Sequence, residues 1–105
     1  MSLPKIITCY TTIGDQQSAE SLISQLLDSR LIACGVSWSV HSQYNWQQES
    51  HAEGEFAVLM KSSLELKDRL LSRIQDFHPY DLPCILLQEV ECNLVYFDWV
   101  QQQTG

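Results

Sequence analysis

Basic residues are scarce in this chain: six lysines and arginines stand against thirteen aspartates and glutamates, for a formal charge of −7. The six, Lys5, Arg30, Lys61, Lys67, Arg69 and Arg73, are scattered. Beyond one stretch of helix they leave no footprint for a polyanion, so nucleic acid is excluded as the expected partner. The acidic surface serves solubility and attracts cations weakly. No apolar run approaches the roughly 20 residues that a membrane span needs. The start, Met-Ser-Leu-Pro-Lys, lacks the basic, apolar and small-residue order of a signal peptide, and a cytoplasmic location is the expectation. Four cysteines, Cys9, Cys34, Cys84 and Cys92, show neither C-x-x-C spacing nor a zinc-finger pattern. Without a secretory signal they are expected to be free thiols, with Cys9 and Cys34 as core filler. A Gly-rich phosphate loop, a G-x-S-x-G elbow and an H-E-x-x-H helix are all missing. The loop over residues 11–17 also has no arginine of the kind that small phosphatases of related fold require, so the chain reads as a non-enzyme.

What is present is one domain, 1–105, without linker, repeat or low-complexity segment. With 45% hydrophobic and 18% charged residues, its composition is that of an ordinary globular protein. It can bury about 65 per cent of its unfolded surface without a metal or disulfide. The dominant feature is the stretch from Gly35 to Lys61. Val36, Trp38, Val40, Ser42, Tyr44 and Trp46 alternate with Ser37, Ser39, His41, Gln43 and Asn45, the period-2 signature of a strand with one covered face. After a polar break at 47–53 the alternation resumes with Phe56, Val58 and Met60, which makes a long antiparallel hairpin. Thirteen extended residues, 35–47, span roughly 43 Å at about 3.3 Å each, whereas a small domain is about 30 Å across. The hairpin therefore overhangs its own subunit with Tyr44 and Trp46 toward the free end. Leaving such side chains in water forfeits roughly 1.5–3 kcal/mol each, so another subunit is the expected cover.

Around the hairpin, 6–12 reads as a central strand buried on both faces. Asp15 caps a helix with Ala19, Leu22, Ile23, Leu26 and Leu27 at helical spacing, ending near Arg30. Ser62 and Glu65 have capping-box spacing before a second helix striped by Leu66, Leu70, Leu71, Ile74 and Phe77. Residues 76–83 break it, 84–91 form a strand, and Asn93 caps a short helix, 94–103. The order β-α-β-β-α-β with a helical tail predicts an α+β, ferredoxin-like sandwich: a four-stranded antiparallel sheet with both main helices on one face.

Several strings on this topology resemble the CutA family of divalent-cation-tolerance proteins: Leu31-Ile32-Ala33-Cys34, Tyr44-Asn45-Trp46, Glu53 and Glu55, Lys61-Ser62-Ser63, His78-Pro79-Tyr80-Asp81-Leu82-Pro83, and Tyr96-Phe97-Asp98-Trp99-Val100. The resemblance implies a tight homotrimer whose long hairpins cross between subunits. It also implies tolerance to copper and other divalent metals, and a fold similar to PII-type signalling proteins. Three positions depart from the family pattern: Thr11 where some relatives have a copper-ligating cysteine, Phe77 in place of a histidine, and Cys84 in place of a glutamate. The family ligand set therefore does not transfer intact.

Two candidate sites follow. His78 and Cys84, six residues apart, are a competent pair for copper(I) or zinc, with Cys9, Thr11 or a facing subunit as the source of a third ligand. The plainer reading makes His78 a polar plug at a helix C-terminus. Trp46, Glu53, Glu55, Lys61 and Tyr80 form the second set, lining a cleft where one hairpin meets a neighbour, or else an ion-pair network that fixes register. His41 and His51 read as solvated, with His51 near Glu49 and Glu53 able to pick up copper adventitiously. No cofactor is obligatory. The expected partners are further copies of the chain and copper or another divalent cation; nucleic acid and membrane are not expected.

Overall fold

A computed structural model describes residues 2–105. The elements are β1 (Lys5–Ile13), α1 (Gln16–Asp28), β2 (Cys34–Trp46), β3 (Glu49–Ser62), α2 (Lys67–Phe77), β4 (Ile85–Glu91) and α3 (Leu94–Gln103). The sheet order is β2-β3-β1-β4, and every neighbouring pair is antiparallel. This is the split βαβ arrangement expected from the element order.

Alternation along the strands divides the sheet into two faces. Ile7, Cys9 and Ile13 of β1 and Val58 and Met60 of β3 pack against Ala19, Leu22 and Leu26 of α1 and Leu70 and Ile74 of α2 to form the main core. On the opposite face Val100, Tyr96 and Phe97 of α3 rest on Ile6, Ala33 and Val90 at one end, and Tyr80 of the loop after α2 meets Glu55 toward the other. Strand β1 is central, as expected, but it is buried completely only toward the helices. Thr8, Tyr10 and Thr12, which face away from them, remain half-buried because α3 stops short of that region.

Asp15 caps α1 by accepting the Ser18 N–H at 2.7 Å, so this helix starts where the sequence indicates. Its C-terminus closes in a Schellman turn: Leu31 N–H donates to the Leu26 carbonyl and Arg30 N–H to that of Leu27. Arg30 takes the left-handed position, φ 59°, and its guanidinium reaches the carbonyls of Gln102 and Gly105 at 2.7 and 3.0 Å. The capping box expected at Ser62–Glu65 is not formed. Ser62 Oγ instead donates to the Leu31 carbonyl and Ser63 Oγ pairs with Thr104. With both hydroxyls committed elsewhere, a 3-10 turn at Leu64–Leu66 precedes α2.

The hairpin is longer and more regular than its sequence suggests. The polar break expected over 47–53 shrinks to Gln47 and Gln48, both with positive φ (52° and 67°), the backbone of a two-residue turn whose twist suits a hairpin. Trp46 pairs directly with Glu49, so Glu53 and Glu55 lie in a strand. Strand β1 reaches only to Phe56 of β3; the seven pairs from Val40–Glu55 to Trp46–Glu49 form a bare two-stranded ribbon. It stretches the molecule to 48 Å along its longest axis against 30 and 22 Å across.

Candidate functional site

The ribbon and the segment between α2 and β4 border an open cleft of about 860 Å³. Strand β2 contributes residues 41–46, β3 contributes Glu53 and Glu55, β1 contributes Thr12, and the loop contributes Pro79, Tyr80, Asp81, Leu82 and Cys84. That volume lies within the roughly 300–1,000 Å³ of small-ligand sites.

The chemistry centres on two carboxylates two residues apart on β3, hence on one face of the strand. Glu53 is exposed, whereas Glu55 is only 6% exposed. Each accepts a short hydrogen bond from a phenol. Tyr44 donates to Glu53 Oε1 at 2.6 Å, a diagonal partner across the hairpin. Tyr80 donates to Glu55 Oε2 at 2.6 Å. Tyr80 is fixed from below: its N–H donates to His78 Nδ1 at 3.2 Å, and the two rings meet edge-on with centroids 4.7 Å apart. A methyl at Gly14 would come within 3.7 Å of the Tyr80 hydroxyl, so the loop after β1 closes over this contact. Both phenols are held protonated. The hydrogen bond to Glu53, burial and the charges of Glu53 and Glu55 push Tyr44 up; burial first, then Glu55, raises Tyr80. The Tyr44 ring stacks on His51, 5.4 Å away, which removes His51 from the role of an unattached tip histidine.

Of the sequence-predicted cleft residues, Trp46, Glu53, Glu55 and Tyr80 come together here. Lys61 does not line this cavity. It lies at the far end of β3, opposite Cys34 and Thr8, with its ammonium 5.6 Å from the Tyr96 ring centroid, a cation–π contact. Tyr44, His41 and Asp81 line the cavity although sequence reasoning did not select them for it. The diagonal relation of Tyr44 to Glu53 is readable only once the turn is placed at 47–48.

Hydrogen bonds and burial already occupy most of the candidate metal ligands. Because His78 Nδ1 accepts from Tyr80, Nε2 carries the proton and donates to the Thr12 carbonyl at 2.8 Å. Both ring nitrogens are therefore engaged within the chain. Thr11 and Cys9 are fully buried in the helix-facing layer. Burial, with the charge of Cys84 added, pushes the Cys9 thiol up to about 12, the opposite of what a metal-binding thiolate needs. Cys84 is exposed and lines the cavity. Among the described residues no three His, Cys, Asp or Glu side chains converge as a metal cage.

Comparison with known proteins decides the family. A model of the CutA1 divalent ion tolerance protein family matches residues 7–103. This chain belongs to the CutA1 family. The divalent-cation tolerance protein CutA of Pyrococcus horikoshii is 34% identical over 100 residues, covering 94% of this chain and 98% of that protein. Among solved structures, the PII-like protein CutA of Nostoc sp. PCC 7120 superposes with a TM-score of 0.89 at 30% identity, covering 94% and 97% of the two chains. The periplasmic divalent cation tolerance protein CutA of Archaeoglobus fulgidus gives 0.90 at 25% identity over 97% of this chain and all of its own. The CutA1 match thus takes in all but the first two residues of the sheet, with the hairpin ribbon and the loop beside it. No helix among the described residues is long and apolar enough to cross a membrane.

Proposed function

We propose that this member of the divalent-cation tolerance family is a non-enzymatic homotrimer that binds a small ligand in the hairpin cleft, and that this binding is its part in the cytoplasmic response to copper and other divalent cations. The observation that carries the reading is the uncovered face of the hairpin. Val36, Trp38, Tyr44 and Trp46 expose 43, 43, 41 and 39% of their surface on one side of β2, and the distal ribbon has no third strand. Apolar area arranged this way drives association, and three copies is the number that the family resemblance implies. The cleft between ribbon and loop then lies where a neighbouring subunit approaches, the usual place for a small-ligand site.

Direct copper binding is a second reading, supported by the exposed Cys84 and His41 lining the same cavity. Copper titration by calorimetry with Cys84→Ala and His41→Ala separates the two. Binding abolished by these changes favours the metal reading; copper heat that neither change affects counts against it. The cleft reading is tested by a thermal-shift panel of metabolites on the assembled protein. A ligand at a hundred times its Kd stabilises by about 2.7 kcal/mol, and Trp46→Ala is expected to abolish that gain. A crystal structure of the assembly in which neighbouring side chains fill the cleft would refute it.

A further inference from the structure

Two segments remote from the cleft, the turn after α1 and the end of β3, meet at the carboxyl end of α3. The Arg30 guanidinium donates from Nε to the Gly105 carbonyl and from Nη2 to that of Gln102, while the Arg30 carbonyl accepts the Gly105 N–H at 3.0 Å. One residue thus grips the segment after α3 with both its side chain and its backbone. From β3 comes a second grip. Thr104 Oγ1 donates to the Val100 carbonyl at 2.9 Å, so its bond with Ser63 Oγ is one in which Ser63 donates. Both hydroxyls are buried, at 1% exposure for Ser63 and 8% for Thr104. Ser62 Oγ donates to the Leu31 carbonyl at 2.6 Å and ties the two grips to each other. Lys61 adds its ammonium over the Tyr96 ring.

The amino end of α3 is held differently. Cys92 N–H is anchored on the Pro4 carbonyl at 3.0 Å, and the helix begins just beyond it. Asn93 stands at the N-cap position, but its side chain makes no capping bond, so the cap expected there is not formed. Between these ends the helix buries little. Of its ten residues only Val100 is buried, Tyr96 and Phe97 are half-buried, and Leu94 and Val95 expose 61 and 79% of their surface. Elements with few buried apolar contacts open at a lower cost than the whole molecule. We infer that α3 is a hinged strap. It lifts about Asn93 from Ile6, Ala33 and Val90 while the sheet, α1 and α2 stay folded, and the latch of Arg30, Ser63 and Thr104 sets how often it does so. Lifting bares that apolar patch and frees Lys61 from Tyr96, so the latch gates one end of the sheet.

The test is amide hydrogen exchange, read by mass spectrometry on the full chain in its native assembly. In the parent, amides of 97–103 should exchange faster than those of β1 and α1, because the strap opens without global unfolding. Thr104→Val keeps the shape but leaves the buried Ser63 hydroxyl without its partner, and exchange in α3 should quicken about tenfold or more. Arg30→Gly separates strap opening from overall stability. Arg30 is in the left-handed region, φ 59°, which glycine adopts without penalty. That relief offsets the lost guanidinium bonds in global unfolding. It does not offset them in strap opening, where the turn is folded in both states. Exchange in α3 should therefore quicken severalfold while β1 and α1 change little, and Arg30→Lys, which keeps the charge without the fork, should fall between. Circular dichroism shows that each variant is folded, and the arginine variants carry the test if Thr104→Val is not. Exchange of α3 at the rate of β1 in the parent would overturn the inference. So would acceleration spread evenly over the chain, or α3 exchange unchanged in every variant.

Discussion

Replacing Trp38 with alanine should weaken the assembly by an amount that follows from the structure. The indole is 43% exposed in the single chain. With a side-chain area of up to about 250 Å², that leaves roughly 100 Å² for another subunit to cover. At about 25 cal/mol per Å² this is worth around 2.5 kcal/mol, or about 2 kcal/mol after the area that alanine retains. In the proposed trimer three copies make about 6 kcal/mol, roughly four powers of ten in the association constant. Because a three-body midpoint moves as the square root of that constant, dissociation should shift to about hundredfold higher concentration. Sedimentation velocity over a dilution series reads this directly, in enough denaturant to bring the parent midpoint into the micromolar range. Gln43→Ala, on the other face of the same strand, serves as the control. The Tyr10–Trp38 ring contact, 6.5 Å between centroids, is also lost, so circular dichroism must show that the dissociated variant keeps its sheet. A midpoint equal to the parent's would refute the assignment of this face to an interface.

Three further outcomes probe the fold. Cys9 is protonated far beyond its ordinary range, with a folded pKa of about 12 against 9.0. Its contribution is complete below about pH 9 and is lost as pH rises toward 12, because the unfolded thiol releases its proton first; Cys9→Ala should flatten an alkaline loss of up to about 4 kcal/mol in denaturant unfolding, and an unaltered pH slope would contradict the burial argument. A Cβ at Gly35 would sit 2.9 Å from both Cγ atoms of Ile23, so Gly35→Ala should cost about 1–3 kcal/mol, and the double variant with Ile23→Ala should show favourable coupling in a double-mutant cycle. Gln48→Gly relieves a left-handed backbone, φ 67°, and should raise stability by about 1 kcal/mol in thermal unfolding; an unchanged or lower midpoint would count against turn strain.

The periodicities carried the element order, the overhang and the Asp15 cap, because each depends on residues within a few positions of one another. The turn escaped because Gln47-Gln48 lacks the Asn-Gly or Asp-Gly pattern that usually marks positive φ, and the polar residues after it read as loop. With the turn blurred, the register was lost, and with it the diagonal of Tyr44 on Glu53. The expected capping box failed because Ser62 and Ser63 spend their hydroxyls on Leu31 and Thr104, partners far away in the chain. The same distance hid the Tyr80–Glu55 bond, which joins residues 25 apart. Family-resembling strings brought four cleft residues to attention, but only the three-dimensional arrangement separates Lys61 from them and shows both nitrogens of His78 already engaged.

If sister copies cover the hairpin, the molar mass of the unmodified protein in dilute solution reveals it most directly. Light scattering at micromolar concentration should return three times the 12.1 kDa of one chain. A well-folded species at 12.1 kDa would contradict it.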